Sequence, residues 1–103
     1  MGYGMGARGR GLITVPRSKS VLGHIFRNSK GHVNPATTTS KNRYIKLFEN
    51  VANNPKNINP KVLSDFQRNN RGFQGYSKVY RNGKQVWIQT NNRKIINAGV
   101  NNP

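Results

Sequence analysis

Hydrophobic and polar positions recur with two different periods along this chain, and the change of period divides it. From position 76 onward the spacing is that of strands. Tyr76-Ser77-Lys78-Val79-Tyr80 and Gln85-Val86-Trp87-Ile88-Gln89-Thr90 are rich in β-branched and aromatic residues and flank Asn82-Gly83. That pair favours a two-residue type I′ hairpin, because it tolerates positive φ at both central positions. With Asn82 and Gly83 as the loop, Val79 is expected opposite Val86, Ser77 opposite Ile88, Lys78 opposite Trp87 and Tyr76 opposite Gln89. One face then carries Val79, Val86 and Ile88, which suits a core. The other carries Tyr76, Lys78, Tyr80, Gln85, Trp87 and Gln89, a mixture of rings, cation and amides suited to stacking bases and contacting phosphates. The competing expectation buries Trp87 and the tyrosines beneath a helix. A third strand over 95–100 closes a meander. A three-residue loop, Asn91-Asn92-Arg93, puts Ile96, Ala98 and Val100 on the core face and Asn97 beside Trp87, whereas a two-residue loop reverses those faces.

Before position 76 the period is helical. Ser18-Lys19-Ser20 precedes Val21, Leu22, Ile25 and Phe26, one apolar face with a serine placed to cap it, while His24 and Arg27 fall off that stripe. Residues 28–35 have turn composition and carry His32 on a loop. Thr39 or Ser40 is placed to cap a stronger helix over 41–53, with Tyr44, Leu47, Phe48, Val51 and Ala52 inward and Arg43, Lys46 and Asn50 outward. Lys46 and Glu49 are placed to pair on its surface, a contact that contributes only about 0.3–0.5 kcal/mol. Asn53-Asn54-Pro55 stops that helix, and Asn59-Pro60 starts another with Val62, Leu63 and Phe66 inward. Helices followed by a small antiparallel sheet predict an α+β fold, with the N-terminal helices packed on one face of a C-terminal meander. Residues 1–17, with glycines around Arg8 and Arg10, read as a linker or tail, and 18–103 as the domain.

Composition narrows the partners. Lys and Arg number 18 against 2 acidic residues, a net charge of +16 spread along the chain. Such self-repulsion points to a polyanion, nucleic acid first and an anionic membrane surface second. No stretch combines a long apolar face with basic flanks, and none approaches about 18 consecutive apolar residues, so no membrane partner is expected. Only 23 of 103 residues are Leu, Ile, Val or Phe, which permits one domain with a small core. Cysteine is absent, which removes disulfides and thiolate metal sites. Glu49 and Asp65 alone cannot form the carboxylate cluster that holds catalytic Mg²⁺, so no cofactor or metal is expected.

What remains for chemistry is histidine, cations and hydroxyls. His24 and His32 bracket Arg27 and Lys30. Metal-independent RNA cleavage needs a base for the 2′-hydroxyl proton, an acid for the 5′-oxygen and positive charge at the phosphate. Histidine serves both proton roles because its reference pKa, about 6.5, lets either form exist near neutrality. The alternative is that both are ordinary surface residues of a basic protein.

His24-Ile25-Phe26-Arg27, Gly31-His32, Val51-Ala52-Asn53-Asn54-Pro55, Asn82-Gly83-Lys84-Gln85-Val86-Trp87-Ile88 and Asn97-Ala98-Gly99-Val100-Asn101, in that order, resemble the C-terminal toxin domains of bacterial polymorphic toxins. Such domains include those of contact-dependent growth inhibition. The resemblance is to RNA-cleaving members, similar to the EndoU-like branch of the barnase, EndoU, colicin and RelE fold group. It implies helices docked on a small sheet, a metal-free ribonuclease acting on RNA, with tRNA as the expected substrate, and a product with a 2′,3′-cyclic phosphate. It implies delivery as part of a larger secreted or surface toxin and action in the target cell's cytoplasm. Carried onto this sequence, His24 and His32 are acid and base in either order. Thr90 is the best match to the hydroxyl position, and the lysine match is Lys30, Lys78 or Lys84; by their nearness to the histidines, Arg27 and Lys30 are placed to stabilise charge at the phosphate. Arg43, Lys78, Tyr80, Lys84, Trp87 and Gln89 are expected to hold the RNA. The His24–His32 spacing is shorter than in EndoU itself. A toxic nuclease needs a cognate immunity protein, expected to be acidic so that it covers the cationic cleft. The competing reading is a non-catalytic RNA- or DNA-binding module, for which charge and rings suffice.

Overall fold

A computed structural model describes residues 12–102 of the chain. Of the tail expected at 1–17, residues 1–11 lie outside the described residues. The elements run α1 (Lys19–Ile25), α2 (Thr38–Ala52), two 3₁₀ turns (Pro55–Asn57 and Pro60–Val62), α3 (Asp65–Arg68), then β1 (Phe73–Val79), β2 (Gln85–Asn91) and β3 (Lys94–Asn101). The strands form one antiparallel sheet in the order β1-β2-β3, so the fold is α+β with helices preceding a C-terminal sheet. None of the helices among the described residues is long and apolar enough to cross a membrane.

Local chemistry accounts for the helix boundaries. Ser18 Oγ accepts from Val21 N and caps α1. Thr37, rather than Thr39 or Ser40, caps α2 through Ser40 N, which starts the helix three residues earlier than its apolar stripe suggested. The expected helix after Asn59-Pro60 breaks in two. Leu63 is extended at ψ 150°, and Ser64 with Gln67 then forms a capping box for α3. Leu63 is buried as expected, but Phe66 turns outward and is 69% exposed.

The largest departure from expectation is the β1–β2 register. Tyr76 lies opposite Ile88, Ser77 opposite Trp87, Lys78 opposite Val86 and Val79 opposite Gln85. The hairpin loop is Arg81-Asn82-Gly83, not Asn82-Gly83. Tyr80 N donates to Lys84 O, Gly83 N donates to Tyr80 O, and only Gly83, at φ +85°, enters the left-handed region. This is the three-residue loop of a type I turn closed by a glycine bulge. One extra loop residue slides β1 by one position against β2, which exchanges every β1 side chain between faces. Tyr76 therefore joins the core, and Val79 is 65% exposed.

At the next turn the two-residue loop holds. Asn92 (φ 51°) and Arg93 (φ 67°) sit between the paired Asn91 and Lys94, which turns Ile95 into the core. An irregularity at Gln89/Thr90 then shifts the pairing by one. Ala98 and Val100 regain the core face, as the three-residue alternative expected. Asn97 faces Gln89, and Gly99 takes the place beside Trp87.

One face of the sheet thus carries Tyr76, Val86, Ile88, Ile95, Ala98 and Val100, and α2 covers it with Ile45, Phe48, Val51 and Ala52. Ile45 takes an inward place that the sequence assigned to Tyr44 and Leu47, which are half-buried at the margin. Ile13 and Val15 complete the core, so the folded unit begins before Ser18. Their segment is tied down by Ile13 N to Asn53 Oδ1 (2.9 Å), Asn53 Nδ2 to Ile13 O (2.9 Å) and Val15 N to Glu49 Oε2 (3.0 Å). Glu49 therefore serves a backbone amide.

Candidate active site

The opposite face of the sheet is floored by Ser77, Trp87, Gln89 and Asn97, and two pieces of chain dock on it. Glycine admits both. A β-carbon on Gly75 would lie 2.5 Å from Val62 Cγ2 and closer still to Asn59 O, which is how the 59–63 segment lies flat against β1. On β3, a β-carbon on Gly99 would lie 2.7 Å from Trp87 Cζ2 and nearer to Gly31 O, so the 27–33 loop rests there. Trp87 Nε1 donates to Gly31 O at 3.0 Å, and Gln89 Nε2 donates to Val62 O at 2.7 Å. Trp87 and Gln89 thus anchor one docked segment each.

The loop on β3 is a closed excursion. A parallel bridge joins Phe26 to Val33, Ser29 N donates to Arg27 O, His32 N donates to Ser29 O, and Gly31 adopts φ +82°. This brings the His32 ring edge-on to Trp87 at 5.3 Å and within 6.5 Å of the His24 ring, on the last turn of α1. His24 is exposed and His32 half-buried. His32 Nδ1 lies 3.0 Å from Ile25 O, and Nε2 lies 3.1 Å from Arg27 Nη2. A guanidinium only donates, so Nε2 is the acceptor, and the ring proton sits on Nδ1, directed at the Ile25 carbonyl. The two imidazoles, Arg27 and the exposed Lys30 therefore share one edge of the sheet.

No family model, curated protein or solved structure matches the chain.

Several expected site residues lie elsewhere. Thr90 is 2% exposed on the core face, and its hydroxyl donates to Gln74 O at 3.1 Å, so it is separated from the histidines by the sheet. The hydroxyl on the histidine face is Ser77, opposite Trp87, whose Oγ accepts from Asn59 Nδ2 at 2.8 Å. Lys78 shares the face of Val86, with its ammonium 4.9 Å from the Tyr80 ring centre. Tyr80 packs against the core margin, and Lys84 pairs with it at the hairpin end. Arg43 belongs to α2, across the sheet from Trp87. The expected RNA-holding set thus divides between two faces, for the reason that moved Val79: one more residue in the hairpin loop. Gly75 and Gly99, each inside a strand, were the sequence's own markers of close backbone approach.

A hollow of about 910 Å³ is lined by residues such as Leu12, Ile58, Phe73 and Thr90. It holds neither histidine, and the chemistry of the 24–32 cluster outweighs its size. Among the described residues no three His, Cys, Asp or Glu side chains come together as metal ligands.

Proposed function

We propose that this domain is a metal-independent ribonuclease toxin that cleaves RNA, with tRNA as its expected substrate. The observation that supports it most is the approach of the two imidazoles to 6.5 Å, with Arg27 already on one of them. At that spacing both rings reach opposite oxygens of a single phosphodiester. His32, whose Nε2 lone pair is held outward by the Nδ1–H bond to Ile25, takes the base role. It removes the 2′-hydroxyl proton, O2′ bonds to phosphorus, and the P–O5′ bond breaks. Protonated His24 delivers a proton to O5′, leaving a 2′,3′-cyclic phosphate and a 5′-hydroxyl. Arg27 transfers from Nε2 to the incoming phosphate, where with Lys30 it stabilises the added charge. Ser77 replaces Thr90 as the hydroxyl on this face.

Incubation of total tRNA with wild type, His24→Ala and His32→Ala, with and without EDTA, tests the reading. Each variant should lose about 10²–10⁴-fold in cleavage rate, with EDTA without effect and cyclic-phosphate ends on the wild-type fragments. Undiminished cleavage by both variants removes the mechanism. One observation favours a second reading, a non-catalytic nucleic-acid-binding module: both His32 nitrogens already have partners. That protein would retard tRNA on a gel without producing fragments. On the toxin reading the domain is delivered within a larger secreted polypeptide and restrained by an acidic immunity protein, whose association should slow steeply with added salt.

A further inference from the structure

Most aromatic rings of this domain are occupied by packing. Phe26, Phe48 and Tyr76 are buried, and Tyr44, Phe73, Tyr80 and Trp87 are partly covered, Trp87 with its N–H committed to Gly31. Among the described Phe, Tyr and Trp residues one is exposed, Phe66, at 69%. Its place is specific. Phe66 lies on α3 and meets Phe73 edge-on at 6.2 Å, and Phe73 shares the sheet face of Ser77 and Trp87, which is the face of the histidine loop. Gln67 Nε2 contacts Gln89 Oε1 at 3.4 Å, and Asn70 Nδ2 closes the end of α3 on Phe66 O. Gln89 is two positions from Trp87, about 7 Å along β2. The ring is therefore held at the β1 edge of the sheet face whose β3 edge carries the histidine loop, and it is mostly open to solvent. Exposed cations flank it in sequence: Lys61 before α3, and Arg68 and Arg71 after its start. Arg68 is paired with Asp65, which leaves Lys61 and Arg71 to face an anion.

We infer that Phe66 is a base-stacking platform for a single-stranded RNA substrate, holding an unpaired nucleobase across the sheet face from the histidine loop while Lys61 and Arg71 contact the adjoining backbone. The inference rests on the ribonuclease reading for the identity of the strand, and it names where the substrate is gripped. Stacking on an exposed ring tolerates any base, because every base has a π-face, whereas the cations supply the salt-dependent part.

The test is fluorescence anisotropy with a labelled 2′-O-methyl RNA oligonucleotide, which binds but has no 2′-hydroxyl to attack. Phe66→Ala should raise Kd by about 5- to 150-fold, the range of one lost base stack, with the salt slope unchanged. Phe66→Tyr should restore binding, and Phe66→Leu, which keeps the apolar contact with Phe73 but lacks a π-face, should not. Lys61→Ala and Arg71→Ala should each lower the salt slope by about 0.7. Equal affinity of wild type and Phe66→Leu, both folded by circular dichroism, overturns the stacking site and leaves the histidine chemistry standing. Lost affinity in the Ala and Leu variants, together with full cleavage by the two His→Ala enzymes, supports the site and overturns the mechanism. Failure of the wild-type protein to bind the oligonucleotide overturns both.

Discussion

Gly99→Ala is the smallest change that should dismantle the histidine site. The new methyl meets Trp87 Cζ2 at 2.7 Å, Cε2 at 2.8 Å and the Gly31 carbonyl oxygen nearer than either. β3 cannot move away, because it is paired with β2 along Val86–Val100, Trp87–Gly99 and Ile88–Ala98. The loop must lift instead, and with it goes the Trp87 Nε1–Gly31 O bond. Overpacking costs about 1–3 kcal/mol, and the lost hydrogen bond about 0.5–1.5 kcal/mol. A total near 2–4 kcal/mol lowers Tm by roughly 10–30 °C for a domain of this size. Trp87 is the only tryptophan, so its emission reports the event directly. We expect a lower urea midpoint, a red-shifted native emission maximum and loss of RNA cleavage as His32 leaves its position. Gly23→Ala is the internal control. It makes the same chemical change in the middle of α1, where nothing lies within 4 Å of the added carbon. There the substitution should stabilise the protein by up to about 1 kcal/mol. A Gly99→Ala protein with unchanged midpoint and emission would refute the docking of the 27–33 loop on β3. Destabilisation by Gly23→Ala would refute the helical reading of α1.

Thr90→Val removes the buried hydroxyl that donates to Gln74 O and should cost about 0.5–1.5 kcal/mol in urea unfolding. Its cleavage rate should stay within about twofold of wild type, since the side chain lies across the sheet from the histidines; a collapse in rate at native stability would put Thr90 back into the chemistry. Asn53→Ala breaks the bonds to Ile13 N, Ile13 O and Glu49 O and should destabilise by about 1–3 kcal/mol, read by calorimetry. An unchanged Tm would show that the 12–15 segment contributes no stability. Trp87→Phe keeps a ring beside His32 but removes the indole N–H; it should cost about 1 kcal/mol and slow cleavage as the loop loses its tether. Full activity there would leave the Gly31 contact without a role in positioning His32.

Much of the architecture was legible along the chain. The period of α2, the serine before Val21 and the break at Asn53-Asn54-Pro55 are local features, and local backbone chemistry decides them. His24 and His32 could likewise be singled out, because a basic chain without cysteine and with two acids has few other groups for proton transfer. Thr90 was misread because its face depends on the sheet's pairing, and Lys78 and Tyr80 because one extra loop residue decides theirs. Ser77 was passed over for the same reason. Phe66 looked like the inward side of a helix until Leu63 proved extended.

By itself, then, the sequence determined the order of helices and strands, the strongly basic charge and the small group of side chains able to carry chemistry. These follow from composition and from spacing over a few residues. Tertiary structure alone decided which side chains share a face and which loop lies over Trp87. A single residue of register reverses a whole strand, and the contact between Gly31 and Gly99 joins positions 68 residues apart in the numbering, so no local pattern can encode it.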